Sequence, residues 1–429
     1  MTELGEIPNE WEIIKLNECG YIFGGNAFKS SSFTTEYKEN DYQVIRMGNV
    51  QLGKLDLEKN PVFLSENLVG EKEKKYLLKE ADILISLTGT VNKTDYGNIS
   101  WVDKNNKYLL NQRVGCLRND NGEFNNRYYY YLLQSNMFRN QFFECGVGGT
   151  GNQANVSIAD LNNIKVLKLP TREQEKIASI LSTIDEQIDN VDALIEKNKE
   201  LKKGLMQTLL TKGIGHTKFK KTEIGEIPEE WEVGTLSSII DKNRKITYGI
   251  VQPGEYVECG KYVIRAKDYS FGWVRVEEIF KCDGLVEKSY ARARVKEGDV
   301  LLTIVGSVGN LAIVPSVLNE ANITQQTARL SFDKNKVNNV FYYNYLKSDR
   351  AIKEINKYMK SGVQPSLNLS DVEKFKIVIP SIEEQERISL ILSSVDEKVE
   401  QYENKKQKLE ELKKGLMQQL LTGMIRVTV

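Results

Sequence analysis

The sequence predicts an α+β protein in which two similar globular modules are separated by two long antiparallel helices that form a coiled coil. The first observation is a duplication. GEIPNEWE at residues 5–12 recurs as GEIPEEWE at 225–232, and ELKKGLMQTLLT at 200–211 recurs as ELKKGLMQQLLT at 411–422. The second observation is that each copy ends in about 40 residues with the apolar spacing of a helix that pairs with another helix. The chain therefore contains two copies of one architecture.

Each module is expected to contain short strands and aromatic-rich helices. Strand-like segments in the first copy are DYQVIRMG, ADILISLTG and NIKVLKLP, and those in the second are KYVIRAKDY, GDVLLTIVG and FKIVIP. RYYYYLLQSNMFRNQFFEC and NVFYYNYLKSDRAIKEINKYM have the character of helices. Their tyrosines, at 128–131 and 342–345, are expected in the core.

The long helices have predicted start, seam and end signals. The residues after Pro170 and after Pro380 match a capping box, and Gly213 and Gly423 lie where a glycine ends a helix. Between these points the apolar residues recur in steps of four and three, which is typical of a coiled-coil seam. The predicted seam residues are Ile177, Leu181, Ile184, Ile188, Val191, Ile195, Leu205 and Leu209, and then Ile388, Leu392, Val395, Val399, Tyr402, Leu409, Leu412, Leu416 and Leu420.

These signals divide the chain into five segments. We expect a globular domain at 1–168, a long helix at 169–214, a linker at 215–223, a second globular domain at 224–379 and a second long helix at 380–424. His216 falls in the linker and is expected to be solvated.

Composition excludes several classes of protein. No apolar run is long enough to span a membrane and the N-terminus does not match a signal peptide, so a cytoplasmic location is expected. The five cysteines are far apart and there is one histidine, which disfavours a structural zinc or a histidine-based active site. ATP-binding and adenine-methyltransferase motifs are absent, and GVGGTG at 146–151 lacks the strand–turn–helix context of a dinucleotide loop. We therefore expect no catalytic residue, no metal and no cofactor on this chain.

The net charge is zero, and no segment is basic in bulk. A DNA-binding function would then need local patches or the help of a partner. Polar and basic residues cluster in stretches where the two copies differ, and such loops are the best place for a binding site.

The order of the motifs resembles the specificity subunit of type I restriction-modification systems over essentially the whole chain. The resemblance rests on two G-E-I-P-x-x-W starts, two E-Q-E helix starts (173–175 and 384–386) and two G-L-M-Q-x-L-L-T helix ends. GTGNQANVS at 149–157 is similar to the G-T-x-Q-x-N-I-S element of that family, whereas the second copy departs from it with VQPSL at 363–367.

The resemblance implies a non-catalytic subunit whose two target recognition domains each read half of a split, asymmetric site in double-stranded DNA. It implies two modification subunits, which use S-adenosylmethionine to methylate adenine N6, and restriction subunits, which use ATP and magnesium to cleave DNA. The alternative from another class is a coiled-coil scaffold whose globular ends bind protein. An enzyme acting alone is a third possibility, for which the sequence offers no motif.

Candidate DNA contacts follow from comparing the copies, since residues that differ can distinguish two half-sites. Arg46 and Arg265 are shared and are expected to contact phosphates or to support the frame. The residues expected to read bases are Lys29, Ser31, Asn92, Lys93, Asn152 and Gln153 in the first copy, and Arg244, Lys245, Tyr248, Gln252, Gln325 and Gln326 in the second. For helix packing and subunit contact we select Gly204, Leu205, Leu209, Gly415, Leu416 and Leu420.

Overall fold

The computed structural model describes residues 7–90, 93–105, 107–119, 122–148, 153–270, 272–360, 362 and 364–428. The chain divides into two compact units. Unit 1 comprises Met1–Val191 and Lys405–Val429, and unit 2 comprises Asp192–Asn404. Each long helix thus contributes one part to each unit. The α+β fold class is confirmed.

Unit 1 is built on a main sheet of antiparallel neighbours. Its strand order is Tyr21–Gly24, Val114–Arg118, Ile83–Ser86 and Ile99–Trp101. The other pairings of the unit are Tyr42–Ile45 between Tyr108–Leu110 (parallel) and Phe63–Leu64; Gln153–Asn155 between Val147–Gly148 and Thr88–Thr90; Glu12–Lys15 with Lys165–Lys168; and Val50–Gln51 with Lys54–Leu55.

Unit 2 repeats the main sheet with the same neighbours. Its strand order is Thr247–Tyr248, Thr327–Leu330, Val300–Thr303 and Leu311–Ile313. The other pairings are Lys261–Ile264 between Phe280–Cys282 and Asn322–Ile323 (parallel); Glu232–Thr235 with Lys376–Ile379; and Phe219–Thr222 with Gly225–Pro228. The registers match, since Val114 faces Ser86 in unit 1 and Thr327 faces Thr303 in unit 2.

Short helices cover these sheets. The α-helices are Glu71–Lys74, Asn126–Leu132, Asn136–Glu144 and Ile158–Asn163 in unit 1, and Gly284–Ser289, Asn339–Leu346, Asp349–Tyr358 and Leu369–Val372 in unit 2. The 3-10 helices are Leu16–Glu18, Ser30–Ser32, Met47–Asn49 and Glu66–Leu68, and then Leu236–Ile239, Ala266–Asp268, Val276–Glu278, Ala291–Ala293 and Ser316–Leu318. Each aromatic-rich stretch forms two helices because a serine, Ser135 or Ser348, caps the second one with its hydroxyl. The tyrosines at 128–131 and those at 342 and 345 are buried, which confirms the core prediction.

The long helices span Thr171–Lys212 and Ile382–Leu420. In unit 1 the Lys413 ammonium lies 2.6 Å from the Asp185 carboxylate, and Leu420 joins the core beside Ile177. In unit 2 Lys202 lies 2.6 Å from Asp396. Sequence numbers rise along one helix as they fall along the other, so the helices pair antiparallel within each unit.

The predicted seam is largely confirmed, since its residues are buried or half-buried in both helices. Leu412 is an exception, because 51% of it is exposed. The neighbouring Lys413 takes the inward position and pairs with Asp185. The seam prediction at Leu412 was therefore wrong.

The start of each long helix is tied to the tryptophan at the start of its module. In unit 1 the indole nitrogen of Trp11 donates to a carboxylate oxygen of Glu173 at 3.0 Å. The Gln174 amide bonds the Leu169 carbonyl at 2.7 Å and accepts from the Asn125 amide at 2.9 Å. The E-Q pair therefore joins the helix to the tryptophan and to the aromatic-rich helix. It does not form a capping box at Thr171, so that prediction was wrong.

Unit 2 repeats this arrangement with one change. Gln385 bonds the carbonyl of Pro380 and the amide of Asn338, each at 2.9 Å, while the Ser381 hydroxyl accepts from the amide of Glu384 at 3.2 Å. The serine cap is present, but the Glu384 carboxylate accepts from Trp231 at 2.8 Å instead of closing a capping box.

His216 is held in unit 2 and is not a solvated linker residue. Its side chain is 12% exposed, and its Nε2 lies 2.9 Å from a carboxylate oxygen of Glu384. Arg426 has the same role in unit 1, at 2.6 Å from Glu173. Gly213 and Gly423 precede these residues with φ of 66° and 74°, which confirms both glycine helix ends.

Candidate nucleic-acid interface

One end of each main sheet carries most of the divergent loops. In unit 1 this loop end follows Gly24 and Ser86 and precedes Val114. In unit 2 it follows Tyr248 and Thr303 and precedes Thr327. Loops that connect strands at a single edge bring distant parts of the sequence together, which suits a binding surface.

A turn at residues 111–113 forms the centre of the loop end in unit 1. Its first amide donates to the Ile45 carbonyl at 3.1 Å and its second to the Asn26 carbonyl at 3.0 Å. The carbonyl of its third residue accepts from the Leu87 amide at 3.0 Å. The turn is therefore fixed to two sheets and to the loop after Gly24.

The turn at residues 324–326 is fixed in the same way in unit 2. Its first amide donates to Ile264 at 3.1 Å, its second to Ile250 at 2.9 Å, and the third carbonyl accepts from Ile304 at 2.8 Å. The two turns are equivalent bond by bond.

A glycine at an equivalent place in each unit lets the chain cross the turn closely. A Cβ on Gly25 would lie 2.2 Å from the Asn111 carbonyl oxygen, and one on Gly249 would lie 1.8 Å from that of Ile323. Any larger residue would displace the backbone there.

Most of the predicted base-reading residues lie on this end and are exposed. Gln153 pairs with Thr90 on a neighbouring ribbon, and Lys93 follows that strand. Thr90 donates two hydrogen bonds to Asp95, which lower the pKa of that carboxyl. The predicted residues on the loop end or in the segments that leave it are Lys29, Ser31, Lys93, Gln153, Tyr248, Gln252, Gln325 and Gln326. Asn92 and Asn152 lie outside the described residues.

Arg244 and Lys245 lie at the opposite end of the sheet in unit 2, because they precede the strand that begins at Thr247. The Arg244 guanidinium makes two bonds of 2.8 Å to Asp299 and is largely buried, whereas Lys245 is exposed. Arg118 holds the equivalent Asp82 in unit 1. Arg244 thus has a partner within the frame.

Arg329 reinforces the same corner. It is buried and donates to the carbonyls of Arg292, Arg294 and Lys245 at 2.6, 2.8 and 3.2 Å. Burial lowers the pKa of this guanidinium to about 10.

Arg46 and Arg265 follow the strands that hold the turns, and their side chains contact the frame. Arg46 donates to the Asn60 carbonyl at 2.6 Å. Arg265 lies 3.1 Å from Asp268 and 5.1 Å from the ring centre of Phe280. These contacts favour a role for both arginines in supporting the frame over a role in contacting phosphates.

On the long helices, Leu209 and Leu420 are buried, while Leu205 and Leu416 are half-buried against the cores of units 2 and 1. Gly204 and Gly415 are exposed, and a Cβ built at either would meet no other described atom within 4 Å. Close approach of another helix of this chain is therefore wrong as an explanation for these glycines.

Sequence comparison missed three exposed residues of the loop end. Gln112 and Arg113 occupy the same places in their turn as Gln325 and Gln326 in the other. The third residue, Gln364, is equivalent to Gln153. Each lies three residues before an amide, of Leu367 or Val156, that donates to an equivalent carbonyl. The signal was present: NQRV at 111–114 aligns with TQQT at 324–327. Because Gln325 has an identical counterpart, it does not differ between the copies.

Two features of the described part of the chain bear on other classes of protein. No group of three or more histidine, cysteine or acidic side chains there is arranged to hold a metal ion. None of its helices is long and apolar enough to cross a membrane.

Comparison with known proteins identifies the class. The family model described as the type I restriction modification DNA specificity domain matches residues 8–202 and again 228–411. The chain is 28% identical over 430 residues to the type I restriction enzyme MjaVIII specificity subunit of Methanocaldococcus jannaschii, covering 98% of this chain and 94% of that protein. It is 28% identical over 399 residues to the type I restriction enzyme EcoBI specificity subunit of Escherichia coli, covering 89% and 78%.

The crystal structure of the type I restriction-modification system S subunit from M. genitalium has the same fold, with a TM-score of 0.57 at 19% identity over the full length of both chains. The chain belongs to the family of type I restriction-modification DNA specificity proteins. Within it the chain is a specificity subunit, which recognises DNA and is not catalytic. The predicted family, fold class and function are confirmed, in preference to a protein-binding scaffold or an enzyme acting alone.

Proposed function

We propose that each unit reads one half of a split and asymmetric DNA site. The observation that carries the proposal is the pair of equivalent loop ends, fixed by the same backbone bonds and furnished with different exposed side chains. One architecture with two sets of side chains suits two different half-sites, about one helical turn apart from centre to centre.

For this function we keep the domain boundaries that the sequence predicts. The target recognition domains are residues 1–168 and 224–379, the long helices 169–214 and 380–424, and 215–223 connects the two copies, with His216 and the strand Phe219–Thr222 ordered within unit 2. Arg46, Arg244 and Arg265 are assigned to the frame, and Lys245 lies at the opposite end of the sheet. The other candidate contacts chosen from the sequence keep their proposed role in reading DNA.

The partners in this proposal are double-stranded DNA, two modification subunits and restriction subunits. S-adenosylmethionine belongs to the modification subunits and ATP with magnesium to the restriction subunits, so this chain carries no cofactor. Because the net charge is zero, much of the phosphate-binding surface must come from partners. The complex acts on cellular DNA, and we place it in the cytoplasm.

A gel-shift titration with and without the modification subunits tests the proposal. We expect sequence-specific retention of duplex DNA by the complex, with weak retention by the isolated chain. Binding of protein partners without any preference among DNA sequences would favour the scaffold alternative. Methyl transfer by the isolated chain would contradict the assignment as a non-catalytic subunit.

A further inference from the structure

The equivalent turns differ at one exposed position, and this difference has a chemical consequence. The second residue of each turn is a glutamine, Gln112 or Gln325, while the third is Arg113 in unit 1 and Gln326 in unit 2. We propose that Arg113 and Gln326 each read a base in the half-site of their own unit. This inference rests on the proposed function and names a residue pair that determines the difference between the half-sites.

The Arg113 side chain is free to meet a ligand. It is exposed, and among the described residues it has neither a hydrogen bond nor an ion pair. Other arginines of the chain are committed: Arg118 holds Asp82, Arg244 holds Asp299, and Arg294 holds Glu287. An arginine without a partner on a surface of shared architecture suits recognition of an external acceptor.

The backbone holds the origin of this side chain in a fixed place. The Arg113 carbonyl accepts from the Leu87 amide, and the Leu87 carbonyl accepts from Val156, each at 3.0 Å. These bonds tie the turn to the ribbon that carries Gln153. In unit 2 the carbonyl of Gln326 accepts from Ile304 and that of Ile304 from Leu367, each at 2.8 Å. Both side chains therefore leave the same point of a rigid frame.

The chemistry of the two side chains assigns different bases. An arginine donates two parallel hydrogen bonds to O6 and N7 of guanine in the major groove, whereas a glutamine pairs with N6 and N7 of adenine. We therefore assign a guanine to Arg113 and an adenine to Gln326. A wrong base at such a contact weakens binding by about tenfold or more.

The test uses the complex with its modification subunits and a library of randomised duplex DNA. The wild-type complex first defines both half-sites. For Arg113→Gln we expect a shift of about tenfold from guanine toward adenine at one position of the first half-site, with the second half-site unchanged. Gln326→Arg should make the reverse change in the second half-site. Arg113→Lys keeps the charge but cannot donate two parallel hydrogen bonds as the guanidinium does, so it should relax the guanine preference.

Lys38→Gln is the matched control, because Lys38 is an exposed cation of unit 1 outside the loop end. Circular dichroism and assembly with the partners verify folding of each variant. An unchanged base preference in Arg113→Gln would overturn the inference. A uniform loss of affinity for all sequences, with a weaker salt dependence, would also overturn it, since that marks a phosphate contact. If instead the wild-type complex shows no sequence preference, the proposed function fails.

Discussion

The indole nitrogen of Trp231 lies 2.8 Å from a carboxylate oxygen of Glu384, although 153 residues separate them in the chain. Trp11 and Glu173 form the same pair in unit 1 at 3.0 Å. The tryptophan ends the G-E-I-P-x-x-W motif and the glutamate begins the E-Q-E motif. The two motifs by which the family was predicted are therefore two sides of one contact.

Removing the Glu384 carboxylate should destabilise unit 2. Glu384→Ala leaves the indole donor of Trp231 and the His216 side chain without their partner, at a cost of about 2 kcal/mol. Glu383→Ala is the control, because Glu383 is exposed next to it. Denaturant unfolding measures the difference, and equal midpoints for the two variants would argue that the contact does not support the unit.

Glu287 should make unit 2 sensitive to acid. It is buried, and its hydrogen bonds from Arg294 lower the pKa of its carboxyl below its usual range. A group with a lowered folded pKa contributes stability above its unfolded pKa, near 4.5, and loses it as the pH falls through the folded pKa. Glu287→Gln should cost about 2 kcal/mol at pH 7. The deficit should shrink below about pH 4, and urea titrations at several pH values would show whether it instead stays constant.

Replacing Gly204 and Gly415 with leucine should weaken assembly with the modification subunits without lowering the stability of the isolated chain. Among the described residues, a Cβ at either position would meet nothing within 4 Å beyond its chain neighbours and its own helix backbone. Leucine also favours a helix over glycine by up to about 1 kcal/mol. We expect unchanged or higher thermal stability together with weaker binding of the modification subunits, measured by analytical ultracentrifugation. Lys197→Leu with Lys408→Leu is the control at exposed positions elsewhere on the helices. Assembly as tight as the control's would exclude a partner surface at the glycines.

The length of the paired helices should set the spacing between the half-sites. A heptad adds about 10 Å of helix, or about three base pairs at 3.4 Å each. Insertions after Ile188 and after Leu409 face each other in the pairing that Asp185 and Lys413 define, so both seams stay in phase. The tolerated spacer should grow by up to about three base pairs. A single insertion mismatches the seams and should therefore impair assembly. If the double insertion left the spacer unchanged with full activity, helix length would not set the spacing.

Local patterns in the sequence predicted the elements well. The heptad spacing located the seams, and alternating or continuous apolar runs located strands such as Ile83–Ser86 and Val300–Thr303. Both glycine helix ends were also predicted, because φ above zero at a helix end is a local requirement.

Contacts between distant parts of the chain could not be predicted in this way. Gln174 matched a capping box by its spacing from Thr171, yet its side chain accepts from the amide of Asn125, 49 residues away. Arg244 is a residue type that commonly contacts DNA, but in the folded chain its guanidinium pairs with the Asp299 carboxylate. Arg113 was missed because the offset between the copies drifts along the chain and the match of NQRV to TQQT is short, whereas the equivalent bonds of the two turns identify Gln326 as its counterpart.

Independent reading of the two half-sites by the two units is tested most directly by a domain exchange that is read out by methylation mapping. Cells would carry the partner subunits with either the wild-type chain or a chimaera in which residues 222–380 come from a relative, and methylated adenines would be located across the genome. We expect a split, asymmetric wild-type site and a chimaera in which one half of the site changes while the other half and the spacer are kept. A chimaera that alters both halves would contradict independent reading by the two units.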